Sequence, residues 1–294
     1  MTHTHDHQGH HHGHGHGHGT DAGTDEALAE ILDLDAEVLR PLQTEMIDHV
    51  HTLAAGTPIR RVLDVGSGTG TGTLALLQRF PDAEAIALDS SVEMLRRLEA
   101  KAHDLGLAGR VRTVAADLDT TWPSVGTVDL AWASASLHHM ADPARVLAAM
   151  FTALRPGGLL AVVELDSFPR FLPHDLGIGR PGLEERCQAA VTAANTAAMP
   201  MFGADWTPLL RQAGFTVELS RHLTADIPAP IPAAARRYAE TILRRTRARL
   251  TDHLSPEDLT TLDTLLDNTT PAGIVHRDDL TVHATRFLWV ARRP

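Results

Sequence analysis

The sequence predicts an α/β fold: a doubly wound, mostly parallel, seven-stranded sheet with helical elements added at the N-terminus and by insertion. Three observations carry this reading. From Arg60 onward, short apolar runs alternate with amphipathic helical stretches, the pattern of a parallel sheet covered on both faces. The first of these runs passes straight into a glycine-rich turn that opens a helix. The chain of 294 residues is long enough for one large domain of this kind with an appendage.

Taken in order, residues 1–24 form a histidine- and glycine-rich tail that cannot bury a core. Residues 25–56 carry apolar positions at helical spacing (Leu28, Ile31, Leu32, then Val38, Leu39, Leu42, then Met46, Ile47, Val50), with Pro41 as a break, and predict two helices serving as a lid. The main domain occupies residues 57–294. Its strands are predicted at 61–65, 85–88, 111–115, 128–133 and 159–164, with helices at 71–79, 91–105 and 143–154 between them. Arg155-Pro156-Gly157-Gly158 is expected to stop the last of these helices and turn the chain. An insertion at about 166–200, with a helix at 183–198, interrupts the beat, which resumes as a helix at 207–213 and a strand at 215–220. A second, helical insertion runs from 225 to 274, and Val282 to Val290 has the β-branched and aromatic residues of a final strand.

Composition excludes several classes. Lys and Arg number 26 against 37 Asp and Glu, a formal charge of −11 that repels nucleic acid and anionic membrane. No apolar run approaches the roughly 18 residues of a membrane helix. Cys187 is the one cysteine, so an internal disulfide or a multi-thiolate metal site is impossible. Nothing near Met1 resembles an apolar secretory signal, and a cytoplasmic protein is expected.

The chemistry is concentrated at the ends of the first three strands. Val62-Leu63-Asp64-Val65-Gly66-Ser67-Gly68-Thr69-Gly70 is a buried strand entering a tight turn whose glycines allow positive φ and close approach of main-chain N–H groups to a ligand. A dinucleotide fingerprint would need glycine at position 71, which is Thr71. Asp64 would repel a pyrophosphate but suits an ammonium. Asp89, nineteen residues past Gly70 at the end of the second strand, is placed to accept both hydroxyls of a ribose. Asp117 ends the third strand, within reach of an exocyclic amino group such as that of adenine. An ammonium, a ribose and an adenine together describe S-adenosylmethionine.

With these residues in view, the chain resembles the class I S-adenosylmethionine-dependent methyltransferases, and within them the quinone-biosynthesis C-methyltransferases and small-molecule O-methyltransferases. The resemblance spans about Arg60 to Ser220 and recurs in the last strand. It rests on the glycine turn just quoted, on Leu88-Asp89-Ser90-Ser91-Val92-Glu93-Met94-Leu95, on Ala116-Asp117-Leu118, on the run from Asp129 to His139, and on Leu154-Arg155-Pro156-Gly157-Gly158. It implies a Rossmann-like methyltransferase fold with S-adenosylmethionine as cofactor. It further implies that Asp64 holds the methionine end through its surroundings, that Gly66, Ser67, Gly68 and Gly70 line the loop, and that Asp89 with Ser90 binds ribose. Met94 would pack near the adenosine, although a methionine on an amphipathic helix is also ordinary core. Asp117 and Leu118 would take the adenine, and Ser134 would lie near the methionine moiety.

The expected reaction is methyl transfer to a small, largely apolar acceptor at O or C. Positioning supplies much of the rate of such a transfer, and a base is needed only for some acceptors. His138, with His139 as the weaker candidate, follows the fourth strand and is a candidate general base; the competing reading is a helix cap or pocket wall.

Two features lie outside this scheme. Arg236, Arg237, Arg244, Arg245, Arg247 and Arg249 face a single acid, Glu240; they read either as a solvated helix face or as the docking surface of a nucleic-acid methyltransferase. His3, His5, His7, His10, His11, His12, His14, His16 and His18 are able to hold a divalent metal loosely, with no catalytic metal required. That tail also motivates a non-catalytic alternative, a metal-handling or regulatory protein that retains the cofactor pocket.

Overall fold

The computed structural model describes residues 22–195, 199 and 201–294; the histidines at positions 3–18 lie outside the described residues. Two N-terminal helices come first, α1 (Ala22–Val38) and α2 (Arg40–Leu53), with Pro41 seated in the first turn of α2, where its missing N–H has no partner to lose. The sheet strands are β1 (Arg61–Val65), β2 (Glu84–Asp89), β3 (Val111–Ala115), β4 (Val128–Ser134), β5 (Leu154–Leu165), β6 (Thr216–Ile227) and β7 (Val282–Arg292). They are ordered β3-β2-β1-β4-β5-β7-β6. The first five pair in parallel, and β7 runs antiparallel between β5 and β6. The predicted seven-stranded, mostly parallel sheet is thus the one observed.

Strand burial explains the order. The last four residues of β1 are all buried, as expected of a central strand covered on both faces. Alternation then sorts its side chains: Val62 joins the core beneath α1 and α2, while Leu63 and Val65 join the core on the other face. Leu130 and Trp132 of β4 join the first core, and Ala131 and Ala133 the second. The crossover helices are α3 (Thr71–Arg79), α4 (Val92–Asp104) and α5 (Pro143–Ala153). The Ser91 hydroxyl caps α4 by accepting from the Met94 N–H, and the Asp142 carboxylate caps α5 by accepting from the Arg145 N–H.

The inserted segments supply α6 (Leu183–Asn195), α8 (Ala233–Arg249) and α9 (Pro256–Leu266), and between the two insertions α7 (Thr207–Gln212) resumes the main beat. Two expectations need correction. Arg155-Pro156-Gly157-Gly158 is not a free turn but an irregularity inside β5. Pairing passes from Val128 with Leu154 to Leu130 with Leu159, and the Gly157 N–H donates to the Arg293 carbonyl while the Arg293 N–H donates to Gly158. Contact with the end of the last strand, invisible to local spacing, holds the segment in the sheet. The second insertion begins later than Ala225, because β6 stays paired with β7 as far as Ile227 opposite Val282. Among the described residues, no helix is long and apolar enough to cross a membrane.

Candidate active site

Because β1 to β5 are parallel, their carboxyl ends share one edge, and that edge collects the residues singled out in the sequence. Beyond Val65, the N–H groups of Gly66 and Ser67 both donate to the Leu88 carbonyl, anchoring the turn to β2. Gly66 has φ +72°, and a Cβ there would lie 2.4 Å from that of Ser136; at Gly70, φ is +81° and a Cβ would lie 2.1 Å from Leu98 Cδ1. These two glycines are therefore demanded by backbone conformation and by neighbouring packing together. The half-buried Asp89 carboxylate accepts from the Gly68 N–H at 2.8 Å and from the Ser91 N–H at 2.9 Å, tying the turn to the start of α4. Burial pushes its pKa up against those two donors, and Asp25 adds to the rise.

The remaining cofactor candidates lie along the same edge. Ser90 and Asp117 are exposed, Ser134 is half-buried at the end of β4, and Leu118 and Met94 are buried. One Asp117 carboxylate oxygen accepts from the Asp119 N–H. Asp64 is different, being 2% exposed, with Thr73 Oγ1 donating to its carboxylate at 2.5 Å. Burial raises its pKa to about 7. The Ser67 hydroxyl is buried in the turn and has no hydrogen-bond partner among the described residues.

After β4 the chain passes through Ala135, whose φ of +51° is the left-handed conformation that a Cβ disfavours by about 1 kcal/mol. Ser136 then donates its hydroxyl to the Val65 carbonyl at 2.7 Å, and Leu137–His139 form one 3₁₀ turn. His138 is 4% exposed, with Nδ1 2.5 Å from Oε2 of Glu164; the other carboxylate oxygen of Glu164 accepts from the Leu137 N–H. Glu164 is itself 2% exposed. The sequence reading overlooked it, although the signal is the one that found Asp89: an acid ending an otherwise apolar strand. The rings of His139 (centroid 4.1 Å away) and Phe202 (5.5 Å) adjoin His138, and Phe168 stacks on Phe202. His139 is exposed, yet its pKa is pushed down to about 4 by desolvation, with the charges of His138 and Arg245 adding to the effect.

Helix α1 crosses this edge. Its Asp25 accepts from the Ser91 hydroxyl at 2.8 Å, Asp33 accepts from Thr69 Oγ1 at 2.6 Å and pairs with Lys101, and a Cβ on Gly68 would lie 3.0 Å from Leu32. Asp35 accepts from the Tyr238 hydroxyl of α8 and from Arg286 of β7, both at 2.6 Å. Most of the α8 arginines are engaged: Arg237 with Glu30, Arg244 with Glu240, Arg247 with Asp263, and Arg236 with the carbonyl of Ile274. Pairing of this kind removes most of the free basic face that nucleic-acid docking through α8 would require. Among the described residues, no group of three or more His, Cys, Asp or Glu is arranged to hold a metal ion.

Residues 62–158 match the family described as "Methyltransferase domain". The chain is 38% identical over 105 residues to a trans-aconitate 2-methyltransferase of Deinococcus radiodurans, covering 36% of this chain and 38% of that protein. It is 36% identical over 132 residues to a malonyl-[acyl-carrier protein] O-methyltransferase of Laribacter hongkongensis, covering 42% and 44%. The chain thus spans less than half the length of these curated relatives. A solved structure of a Bacillus halodurans protein assigned to the methyltransferases has the same fold, with a TM-score of 0.54 at 17% identity over 84% of this chain and 98% of that one. The glycine turn, the acids at successive strand ends, the sheet order and these matches converge: residues 62–158 match a methyltransferase domain, and the chain has the fold of a solved protein assigned to the methyltransferases.

Proposed function

We propose that this chain transfers a methyl group from S-adenosylmethionine to oxygen or carbon of a small, largely apolar acceptor, with His138 as general base. The observation that carries the reading is the His138–Glu164 pair, buried at the carboxyl end of β4 and β5 beside the glycine turn. The residues present fit the cofactor. An orphaned Ser67 hydroxyl sits in a turn whose next strand end carries a carboxylate, Asp89, the group that ribose hydroxyls need. Asp89 and Ser90 would hold the ribose, Asp117 and Leu118 the adenine, and Gly66, Gly68, Gly70 and Ser134 the methionine end, with Asp64 acting through its charge from beneath the turn. When bound, the cofactor supplies a sulfonium methyl group to a nucleophile held in line with it.

The protein's own part is proton transfer, orientation and exclusion of water. With Glu164 ionised, the imidazole of His138 keeps its proton on Nδ1, and Nε2 is left as the acceptor for the proton of an acceptor hydroxyl or activated carbon. Helix α1 closes over the turn as a lid and keeps the methyl donor from water. The trans-aconitate and malonyl-carrier relatives support a small acceptor without naming this one.

Calorimetry with S-adenosylhomocysteine tests the cofactor site. Micromolar binding is expected, and Asp89→Ala should weaken it by about 1 to 3 kcal/mol because the ribose hydroxyls lose their acceptor; unchanged affinity would sink the assignment. Incubating phenols, quinones and polyketide-like acceptors with labelled cofactor then identifies the substrate.

A further inference from the structure

Among the described residues, three buried side-chain polar atoms have no hydrogen-bond partner: the Ser67 hydroxyl and the indole N–H groups of Trp132 and Trp206. Ser67 lies in the glycine turn, and Trp206 is packed in the apolar core that includes Val146 and Leu210. Trp132 is set against an acid. It is 1% exposed, and strand register pairs it with Asp64, so both side chains leave the same face of the sheet. Helix α3 presents a glycine there. A Cβ at Gly72 would lie 2.8 Å from Trp132 Nε1 and 3.5 Å from Asp64 Oδ2, so the N–H and the carboxylate border one small space that a side chain at position 72 would fill. The same Oδ2 accepts from Thr73 Oγ1 at 2.5 Å. Burial raises the pKa of Asp64, the Thr73 hydroxyl opposes the rise, and the like charge of Asp89 at the end of β2 adds to it.

We infer that the Trp132 indole N–H is the second side-chain donor to Asp64 and holds its carboxylate in the ionised form, which makes Trp132 a positioning residue that acts on the cofactor through Asp64. The two donors differ in chemistry. A threonine hydroxyl donates to a carboxylate or accepts from a carboxylic acid, and so serves both protonation states; an indole N–H only donates, and so favours the charged one. A buried carboxylate needs more than one donor, and an N–H aimed at it forms a charge-assisted bond. The contact closes when Asp64 ionises and its carboxylate turns into the space beside Gly72, and it opens again on protonation. Gly72 thereby has a role of its own, since a side chain there would part the pair. This deepens the methyl-transfer reading and rests on it for the link between Asp64 and the cofactor ammonium.

The first measurement uses the full chain without cofactor, so it fails or succeeds independently of methyl transfer. The indole proton of Trp132, assigned by triple-resonance NMR with no substitution at Trp132, is followed across the Asp64 midpoint of about 7, from about pH 5 to about pH 9. It should move downfield and exchange more slowly as Asp64 ionises, whereas in Asp64→Asn it should not titrate. Trp132→Phe then keeps an aromatic ring in the core and removes the donor. The Asp64 carboxyl carbon should titrate at a pH higher by roughly half a unit to one unit, because the ionised form has lost a stabilising bond. Near pH 7 the affinity for S-adenosylmethionine should fall by about three- to tenfold, and the difference should narrow towards about pH 9, where Asp64 is ionised in both proteins. A tryptophan that serves packing alone would lower affinity equally across the range and leave the midpoint in place. An indole proton that does not titrate, or that titrates equally in Asp64→Asn, overturns the inference, as does an unmoved midpoint in Trp132→Phe. If indole and midpoint behave as expected but affinity ignores pH, the contact stands and the assignment of Asp64 to the cofactor falls.

Discussion

Replacing His138 by alanine should lower kcat by about 10²- to 10⁴-fold while leaving the affinity for S-adenosylhomocysteine nearly unchanged. The imidazole is 4% exposed, and its Nδ1 is held by a carboxylate that is 2% exposed, so one nitrogen is committed to orientation and the other is left for the acceptor. Glu164→Gln separates positioning from chemistry. It keeps the shape but removes the charge that stabilises an imidazolium, so kcat should fall by about 10- to 100-fold. A Glu164 that serves only the fold would lower stability and leave kcat of the folded protein unchanged. His139→Ala should do less, since desolvation already holds that imidazole neutral with a pKa of about 4. If His138→Ala costs less than about tenfold and the pH profile is flat, the acceptor needs no base, and proximity is the main catalytic device.

The second large effect concerns Asp64, where stability and binding should move in opposite directions. Its carboxyl is 2% exposed, and burial raises its pKa from 3.8 to about 7. A raised acid pKa means that the folded state favours the protonated form. The associated stabilisation is fully present below the unfolded pKa near 4 and is lost as pH rises to about 7, where the buried group must ionise. At pH 8 the ionised Asp64 therefore destabilises the fold by on the order of 4 kcal/mol, at about 1.4 kcal/mol per pKa unit. Asp64→Asn should melt several degrees above the parent protein at pH 8, and the difference should shrink towards zero near pH 4. The same substitution should weaken S-adenosylmethionine, whose ammonium and sulfonium charges favour the ionised form. In the parent protein, that affinity should fall as pH drops below about 7, and in Asp64→Asn it should not. A variant no more stable at pH 8 than at pH 4, relative to the parent, would remove Asp64 from this role.

Strand ends were readable because they depend on local pattern. The apolar runs ending in Asp64 and the glycines, in Asp89, and at Asp117 gave both the sheet and its functional edge, since parallel strands must bring their carboxyl ends together. Caps and breaks were equally local: Ser91, Asp142 and Pro41 act within one turn of their own positions. Glu164 carries the same signal, but its significance lies in its hydrogen bonds to His138 and to the Leu137 N–H, which join two strand ends and are not written in local spacing. What holds Arg155 to Gly158 in the sheet is a pair of hydrogen bonds with Arg293, on the far side of two insertions.

The apolar runs and the acids and glycines that follow them fix the sheet, its carboxyl edge and the place of the histidine pair just past the fourth strand. Which groups reach across that edge depends on packing between distant parts of the chain. The carboxylate behind His138 is 26 residues away, and helix α1 is fastened by Asp35 to Tyr238 and Arg286, separated from it by 203 and 251 residues. The α8 arginines show the difference most clearly. Six look alike along the chain, yet acids and carbonyls on α1, α8, α9 and a neighbouring turn engage Arg236, Arg237, Arg244 and Arg247. Charge and spacing are written locally, whereas the partner that neutralises a charge is chosen by long-range packing.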